Sequence, residues 1–259
     1  MLDEIKISRA IIDTYFKKLN DALENEVIIV GAGPSGLTAG YYLGKEKIKT
    51  TIFERNLRPG GGMPGGGMMF NQMVIQKEAK EIFEELEISV EEYEANYFTA
   101  DTLEALGILT AKCLQTGTKI FNLITCEDVL IREEKICGVV INWTSVEEAH
   151  LHVDPLTVRS QYVIDASGHQ AEVVRIVEKK VGQRLFTPTG GIIGERPMWA
   201  EIGERMILEN TKEVYHNLFV CGMAANTVFG GPRMGPIFGG MFLSGRKVAQ
   251  LIKERRKIS

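Results

Sequence analysis

A glycine-rich turn followed by an acid is the strongest chemical signal in the chain. Gly31, Gly33 and Gly36 form the pattern G-x-G-x-x-G between an apolar run and a helical one, and Glu54 lies 18 residues after Gly36. In such turns the first glycine makes the bend, the second lets the backbone approach a pyrophosphate, and the third lets helix and strand pack closely. The helix N-terminus presents N–H groups to the phosphates, and the acid suits a ribose without a 2′-phosphate. The spacing predicts a dinucleotide site that disfavours NADP.

A carboxylate and an imidazole, Asp154 and His169, form a second candidate site. Their oxygen and nitrogen donors suit Fe(II), zinc or manganese. Two protein ligands leave coordination positions open for substrate atoms, as a catalytic metal requires. The two residues are 15 positions apart with Pro155 between them, which is compatible with a hairpin that brings them together. From the residues alone, ordinary surface or capping roles stay open for both.

Arg233 lies in a run of glycine and proline, GGPRMGP. Backbone of this kind can hold a guanidinium for bidentate capture of a carboxylate. A contact to phosphate, or an exposed position without a ligand, is the alternative interpretation.

The four cysteines are widely spaced and contain no C-x-x-C pair: Cys113, Cys126, Cys137 and Cys221. This spacing is typical of neither a zinc ribbon nor a disulfide scaffold, so we expect four reduced thiols. Cys221 ends an apolar run that we expect to reach the dinucleotide, and it is the cysteine we expect nearest to the site.

The patterns between these residues predict the elements that position them. Hydrophobic periodicity and apolar runs predict a strand–helix–strand unit around the glycine turn, after an amphipathic helix. The expected helices are 5–23, 37–44, 77–86, 101–116 and 240–255, and the expected strands are 26–30, 49–54, 119–128, 134–143, 160–165 and 217–221. The glycine-rich run 59–69 is interpreted as a ligand-wrapping loop, and 144–158 as a loop or hairpin edge. We expect a single α/β domain over 1–259, of the FAD/NAD(P)-binding Rossmann-like type, with a smaller β-rich lobe over 93–158.

Composition excludes several classes of protein. The 259 residues are 44% hydrophobic and 25% charged, which is typical of a globular chain. A net charge of −4 gives no support to nucleic-acid binding, and no run of 18 apolar residues predicts a membrane span. The charged N-terminus lacks the apolar core of a signal peptide, so a cytoplasmic location is expected.

Two later segments resemble FAD-binding proteins of the two-dinucleotide-binding-domain class. The run YVIDASG over 162–168 resembles their second glycine signature, and NLFVCGM over 217–223 resembles their C-terminal strand. In that class the final glycine is followed by an acid, whereas Gly222 is followed by Met223. The missing acid favours NAD over a flavin.

Over nearly its whole length the chain resembles the thiamine thiazole synthase family, in its archaeal branch. The motifs that carry the resemblance are HVDP (152–155), SGH (167–169), CGM (221–223), RMGP (233–236) and the glycine run 60–67. The resemblance implies an enzyme that combines NAD, glycine and sulfur into an adenylated thiazole carboxylate and releases nicotinamide. It also implies a homo-oligomer, an octamer in this family, with a site that can be shared between chains.

The same resemblance implies roles for individual residues. Family members that donate their own sulfur have a cysteine at the position of His152, so the histidine implies free sulfide as the donor and borders the site as a candidate acid or base. Asp154 and His169 match the ligands of Fe(II), and Arg233 matches a contact to glycine. The implied dinucleotide contacts are Gly31, Gly33, Ser35, Gly36, Glu54, Arg55, Gly62, Val129, His152, Asp154 and Met223.

The sequence also leaves three other functions open. An FAD-dependent oxidoreductase would keep the fold and change the chemistry, and a flavin absorption band would reveal it. An NAD-sensing module would bind the dinucleotide without releasing nicotinamide. A sugar-phosphate isomerase of pentose metabolism shares only the ribose rearrangement.

Overall fold

The computed structural model describes residues 1–257, which form two β-sheets and nine α-helices. None of these helices has both the length and the hydropathy of a membrane span. The helices are α1 (Glu4–Asp21), α2 (Pro34–Lys45), α3 (Lys80–Leu86), α4 (Thr102–Gln115), α5 (Thr144–Glu148), α6 (Glu172–Val181), α7 (Ala200–Asn210), α8 (Met223–Phe229) and α9 (Gly239–Arg256). The strands are β1 (Glu24–Val30), β2 (Thr50–Glu54), β3 (Gln72–Gln76), β4 (Glu91–Glu94), β5 (Tyr97–Asp101), β6 (Lys119–Asn122), β7 (Ile124–Arg132), β8 (Lys135–Trp143), β9 (Leu156–Asp165), β10 (Lys212–Tyr215) and β11 (Leu218–Val220).

The main sheet has eight strands, with the order β10-β11-β9-β1-β2-β6 and with β8 and β7 attached beside β9. Strands β11, β9, β1, β2 and β6 are parallel. Val30 pairs with both Phe53 and Asp165, so β1, β2 and β9 end at the same level. We call this level the carboxyl edge. Loops that follow parallel strands meet at such an edge, which is where ligands bind in open α/β sheets.

Strand β1 shows how helices come to cover both faces of the sheet. Val27 and Ile29 belong to one apolar cluster, which includes residues of α2, α4 and α9. Ile28 and Val30 belong to a second cluster, which includes residues of α6 and α8. Successive side chains of a strand point to opposite faces, so a fully apolar strand requires cover on both. The predicted α/β, Rossmann-like fold is confirmed.

The small antiparallel sheet has different bounds from the lobe expected over 93–158. It consists of β3, β5 and β4 and spans Gln72 to Asp101. Strands β7 and β8 instead extend the main sheet, because β8 pairs antiparallel with the first half of β9. The strand expected over 119–128 is divided into β6 and β7 at Leu123, which has a φ of 57° and donates its N–H to the carbonyl of Asn56 at 3.3 Å.

A buried carboxyl, Glu204, joins the small sheet to α7 and α9. Its Oε2 accepts from Gln76 Nε2 at 2.6 Å and from the Gly240 N–H at 2.7 Å. Glu204 Oε1 and Gln76 Oε1 are both buried without a hydrogen-bond partner. A proton on Glu204 Oε1 would turn this oxygen into a donor, and Gln76 Oε1 is a buried acceptor without one. Burial raises the pKa of Glu204 to about 7, which favours this protonated acid–amide pair.

We predict that Glu204→Gln stabilises the protein at high pH. The raised pKa means that the native state binds the proton more tightly than the unfolded chain, so wild-type stability falls as pH rises from 4.5 to about 7. Glutamine keeps the acceptor and supplies a permanent donor. Urea unfolding gives the free energy of unfolding of the variant and of wild type. The difference between the two should be about 1–3 kcal/mol larger near pH 8 than near pH 5. Glu201→Gln, at an exposed position of the same helix, should show no such difference. An equal effect of Glu204→Gln at both pH values contradicts the assignment.

Candidate active site

A cleft of 560 Å³ lies at the carboxyl edge of the main sheet. Its volume falls in the range of small-molecule sites. It brings together most of the residues singled out in the sequence: Gly31, Gly33, Ser35, Glu54, Arg55, Gly62, His169, Met223 and Arg233. Gly36, Val129, His152 and Asp154 are not among its lining residues.

The glycine turn has the geometry that its spacing predicts. A Cβ on Gly31 would lie 2.5 Å from the Ala166 carbonyl oxygen, and one on Gly36 would lie 2.1 Å from the Gly31 oxygen. These two glycines are therefore required for packing, which explains why Gly36 lies behind the cleft and not on its wall. A Cβ on Gly33 would meet no protein atom within 4 Å. Gly33 is also the N-cap of α2 and makes no side-chain capping bond, so the first N–H groups of α2 stand beside open space.

Glu54 is buried against the glycine turn. Its Oε2 accepts from the Ala32 N–H at 2.7 Å, and its Oε1 accepts from the backbone and side-chain nitrogens of Asn56 at 2.8 and 2.7 Å. The neighbouring Arg55 pairs with Glu172, whose charge raises the pKa of this arginine. The cleft wall therefore places one fixed anion and one fixed cation beside each other, at the end of β2.

The turn after β9 is organised by Asp165, which the sequence analysis did not single out. This fully buried carboxylate accepts from the Ser167 N–H at 3.0 Å, the Ser167 hydroxyl at 2.6 Å and the Val174 N–H at 3.0 Å. Burial raises the pKa of Asp165 despite these donors. The bonds tie the end of β9 to the start of α6 and hold the intervening His169 at the cleft.

His169 contacts a carboxylate that no sequence pattern predicts, Glu195. His169 Nδ1 lies 2.5 Å from Glu195 Oε1, and the Thr227 hydroxyl donates to the same oxygen at 2.8 Å. Arg233 Nε lies 3.9 Å from the other oxygen, Oε2. Since Glu195 engages Nδ1, the ring nitrogen that remains for a ligand is Nε2.

The prediction that a hairpin joins Asp154 and His169 is wrong. Asp154 lies in an exposed segment, 151–155, before β9 begins, and His169 follows the other end of that strand. A strand of 10 residues spans about 30 Å, so Asp154 and His169 of one chain do not meet. His152 lies in the same exposed segment as Asp154. Within residues 1–257 no group of three or more His, Cys, Asp or Glu side chains is arranged to hold a metal ion.

Val129 lies differently from expectation, whereas the cysteines are free thiols and Cys221 is buried, as expected. Val129 is buried in β7, three residues beyond Cys126, and does not line the cleft. All four cysteines are free, and Cys126, not Cys221, is the one on the cleft wall. Burial raises the pKa of the Cys221 thiol to about 12 and also raises that of Cys126. The thiolate form, which is the reactive one, is disfavoured at both.

A glycine turn at the carboxyl edge of a parallel sheet covered on both faces defines a Rossmann-like α/β protein. A family model described as the Thi4 family matches residues 8–238, and the chain belongs to this family.

Curated relatives and a solved structure agree with that membership. The chain is 57% identical to the thiamine thiazole synthase of Methanothermobacter thermautotrophicus, with 99% of each chain covered. It is 51% identical to that of Pyrococcus furiosus, over 98% of this chain and 99% of the relative. The crystal structure of THI4 from Thermovibrio ammonificans superimposes with a TM-score of 0.98 at 46% identity, covering 99% of this chain and 100% of that one. These likenesses support thiazole synthesis for thiamine as the chain's enzymatic activity.

A more distant likeness concerns the fold alone. A geranylgeranyl bacteriochlorophyll reductase-like protein of Thermoplasma acidophilum gives a TM-score of 0.51 at 15% identity, over 91% of this chain and 79% of that one.

Proposed function

We propose that the chain converts NAD, glycine and sulfide into an adenylated thiazole carboxylate, releases nicotinamide, and uses Fe(II). The observation that carries the proposal is that one cleft holds the glycine turn, His169 and Arg233 together. These groups suit a pyrophosphate, a metal and a carboxylate respectively. Sulfide is the proposed sulfur source because residue 152 is a histidine and the one cleft-lining cysteine, Cys126, has a thiol pKa raised by burial.

The site's geometry supports the proposed binding roles. The pyrophosphate of NAD lies over Gly33, where the N–H groups of α2 meet open space, and Glu54 accepts from ribose hydroxyls. Arg233 holds the carboxylate of glycine through two parallel hydrogen bonds. Water displaces nicotinamide and so frees the ribose, which rearranges to a ketone, and the amine of glycine condenses with that ketone and releases water. Sulfide enters before the thiazole ring closes.

The metal would be held by His169 Nε2 and by Asp154 of the partner subunit. A nitrogen and an oxygen donor fit Fe(II), and contact between Nδ1 and Glu195 leaves Nε2 as the ligating atom. Bound Fe(II) would supply Lewis acidity and a binding position for sulfide.

An exposed apolar surface supports a homo-oligomer, proposed as an octamer, with this shared site. No residue of α1 is buried, although Ile5, Ile11 and Phe16 are apolar and more than half exposed. The ring of Tyr15 stacks on Trp143, which joins α1 to the end of β8. The segment that carries Asp154 and the first residue of β9 add three more exposed apolar side chains: Leu151, Val153 and Leu156. Apolar surface of this kind, next to exposed candidate ligands, suits contact with a second copy.

The proposal predicts many product molecules per chain without any cysteine. A variant with all four cysteines changed to alanine or serine should still form the thiazole over repeated turnovers, given sulfide and Fe(II) without oxygen. Product per chain, measured by mass spectrometry, is the readout, and Cys126→Ala alone is the control that spares the rest of the core. A wild-type yield of one product per chain, with a cysteine converted to dehydroalanine, contradicts the sulfide mechanism.

Substitutions at the second and third glycines of the turn should separate NAD binding from folding. Alanine fits the backbone of Gly33, whose φ is −71° and ψ 178°, but its methyl group occupies the proposed approach of the pyrophosphate. We expect Gly33→Ala to melt at the same temperature as wild type. Calorimetry should show an NAD affinity at least about tenfold lower, which corresponds to about 1.4 kcal/mol of binding free energy.

Gly36→Ala is the matched comparison. It should lose about 1–3 kcal/mol of stability, because its Cβ would lie 2.1 Å from the Gly31 oxygen. Wild-type NAD affinity in Gly33→Ala would show that the dinucleotide does not approach there.

A shared metal site predicts complementation between two inactive variants. Asp154→Asn and His169→Ala should each abolish turnover alone. Mixed oligomers formed by equal co-expression should regain about a quarter of wild-type activity, because a quarter of the sites combine an intact His169 with an intact Asp154 from the other chain. Mixed oligomers verified by mass but devoid of activity would contradict sharing of the site.

A further inference from the structure

Glu195 has an unusually complete set of partners for a residue in an irregular segment. Its side chain is 18% exposed and contacts His169, Thr227 and Arg233 at the distances given above. The two hydrogen-bonding partners share Oε1, whereas Arg233 faces Oε2 without a hydrogen bond. The terminal nitrogens of Arg233 therefore stay available for another carboxylate.

The backbone on both sides of Glu195 is fixed. The Gly194 N–H donates to the Thr227 carbonyl at 2.9 Å, and the Arg196 N–H donates to the Gly231 carbonyl at 3.1 Å. The Arg233 N–H donates back to the Arg196 carbonyl at 3.3 Å. The segment of Glu195 is thus held against the segment that carries Arg233, and its carboxylate has little freedom to leave His169.

Thr227 strengthens this arrangement from the other side. It is 2% exposed, and its hydroxyl lies 2.8 Å from Glu195 Oε1 and 3.3 Å from the His169 carbonyl oxygen. A carboxylate that is only an ion-pair partner would not need a buried hydroxyl directed at the same oxygen. The geometry specifies one acceptor position, opposite Nδ1.

We propose that Glu195 is the positioning residue of His169: it holds the proton on Nδ1 and so directs the unprotonated Nε2 into the cleft. A neutral imidazole carries one proton, and the hydrogen bond made by one nitrogen decides which nitrogen is free to bind a ligand. Carboxylate partners of this kind orient metal-binding histidines and raise their basicity. The ligand at Nε2 is the Fe(II) of the proposed function, on which this inference rests.

The test begins with the wild-type protein, free of metal, NAD and glycine. Nitrogen-15 NMR of the labelled imidazole, at a pH where the ring is neutral, should show His169 with its proton on Nδ1. Glu195→Ala should shift the ring to a mixture with the Nε2–H form. Glu201→Ala, at an exposed position of α7, is the control and should leave the ring unchanged. Metal affinity gives a second readout: cobalt(II) binding should weaken by about 10–100-fold in Glu195→Ala alone.

An Nε2–H ring in the wild type overturns the inference even if the alanine variant does not fold. So does a folded Glu195→Ala protein with the wild-type ring form and cobalt affinity. The proposed function fails separately: a chain with the Nδ1–H ring that makes no thiazole from NAD, glycine, sulfide and Fe(II) rejects that function alone. A thiazole-forming chain with the Nε2–H ring rejects only the role of Glu195.

Discussion

The rest of the structure depends on strand β9, because this one strand pairs with three others and carries a functional turn at its end. Its second half lies between β1 and β11 in the parallel part of the sheet, and its first half pairs with β8. The buried carboxylate of Asp165 ends the strand and fixes the turn through three hydrogen bonds. An unsatisfied buried carboxylate is costly, so this turn has one strongly preferred conformation. The same hydrogen bonds that end β9 place His169 at the cleft.

The length of β9 also keeps the two candidate metal ligands of one chain apart. About 30 Å of fully paired strand separates the segment of Asp154 from the turn of His169. Bending the strand enough to join them would break its ladder to β1 and β8. In the proposed site the second ligand therefore comes from another copy, and burial of the exposed apolar residues of α1 on association would be favourable. Folding and assembly thus build different parts of one proposed site.

The sequence predicts those features that local spacing encodes. The glycine turn, the βαβ unit around it and Glu54 were all predictable, because each needs a residue type at a short, fixed distance. Residues 156–159 of β9 were not predicted as strand, since only 162–164 form an unbroken apolar run. In the first half Val158 and Ser160 are buried while Arg159 and Gln161 are exposed, as expected of a strand covered on one face. Mistaking this half for a loop produced the incorrect hairpin.

Glu195 shows a different limit of sequence reasoning. Its partners lie 26, 32 and 38 positions away along the chain, and it belongs to an irregular, glycine-rich segment without periodicity. Helices α6, α7 and α8, which frame that segment, were not predicted either. Only the path of the backbone between α6 and α7 brings the carboxylate to the imidazole. Tertiary contacts of this kind leave no spacing that a single sequence can reveal.

The hydrogen bonds that Glu54 and Glu195 accept limit which groups of the cleft can transfer protons in the proposed reaction. Both oxygens of Glu54 accept hydrogen bonds from the turn that they support, and Glu195 accepts from His169 and Thr227. Both carboxylates are therefore engaged as acceptors in bonds that hold the site together. His169 is committed to Glu195 on one nitrogen and, in the proposed site, to the metal on the other. In the proposed site, proton transfer is left to His152, which lies in the same exposed segment as Asp154 and would reach the cleft together with it.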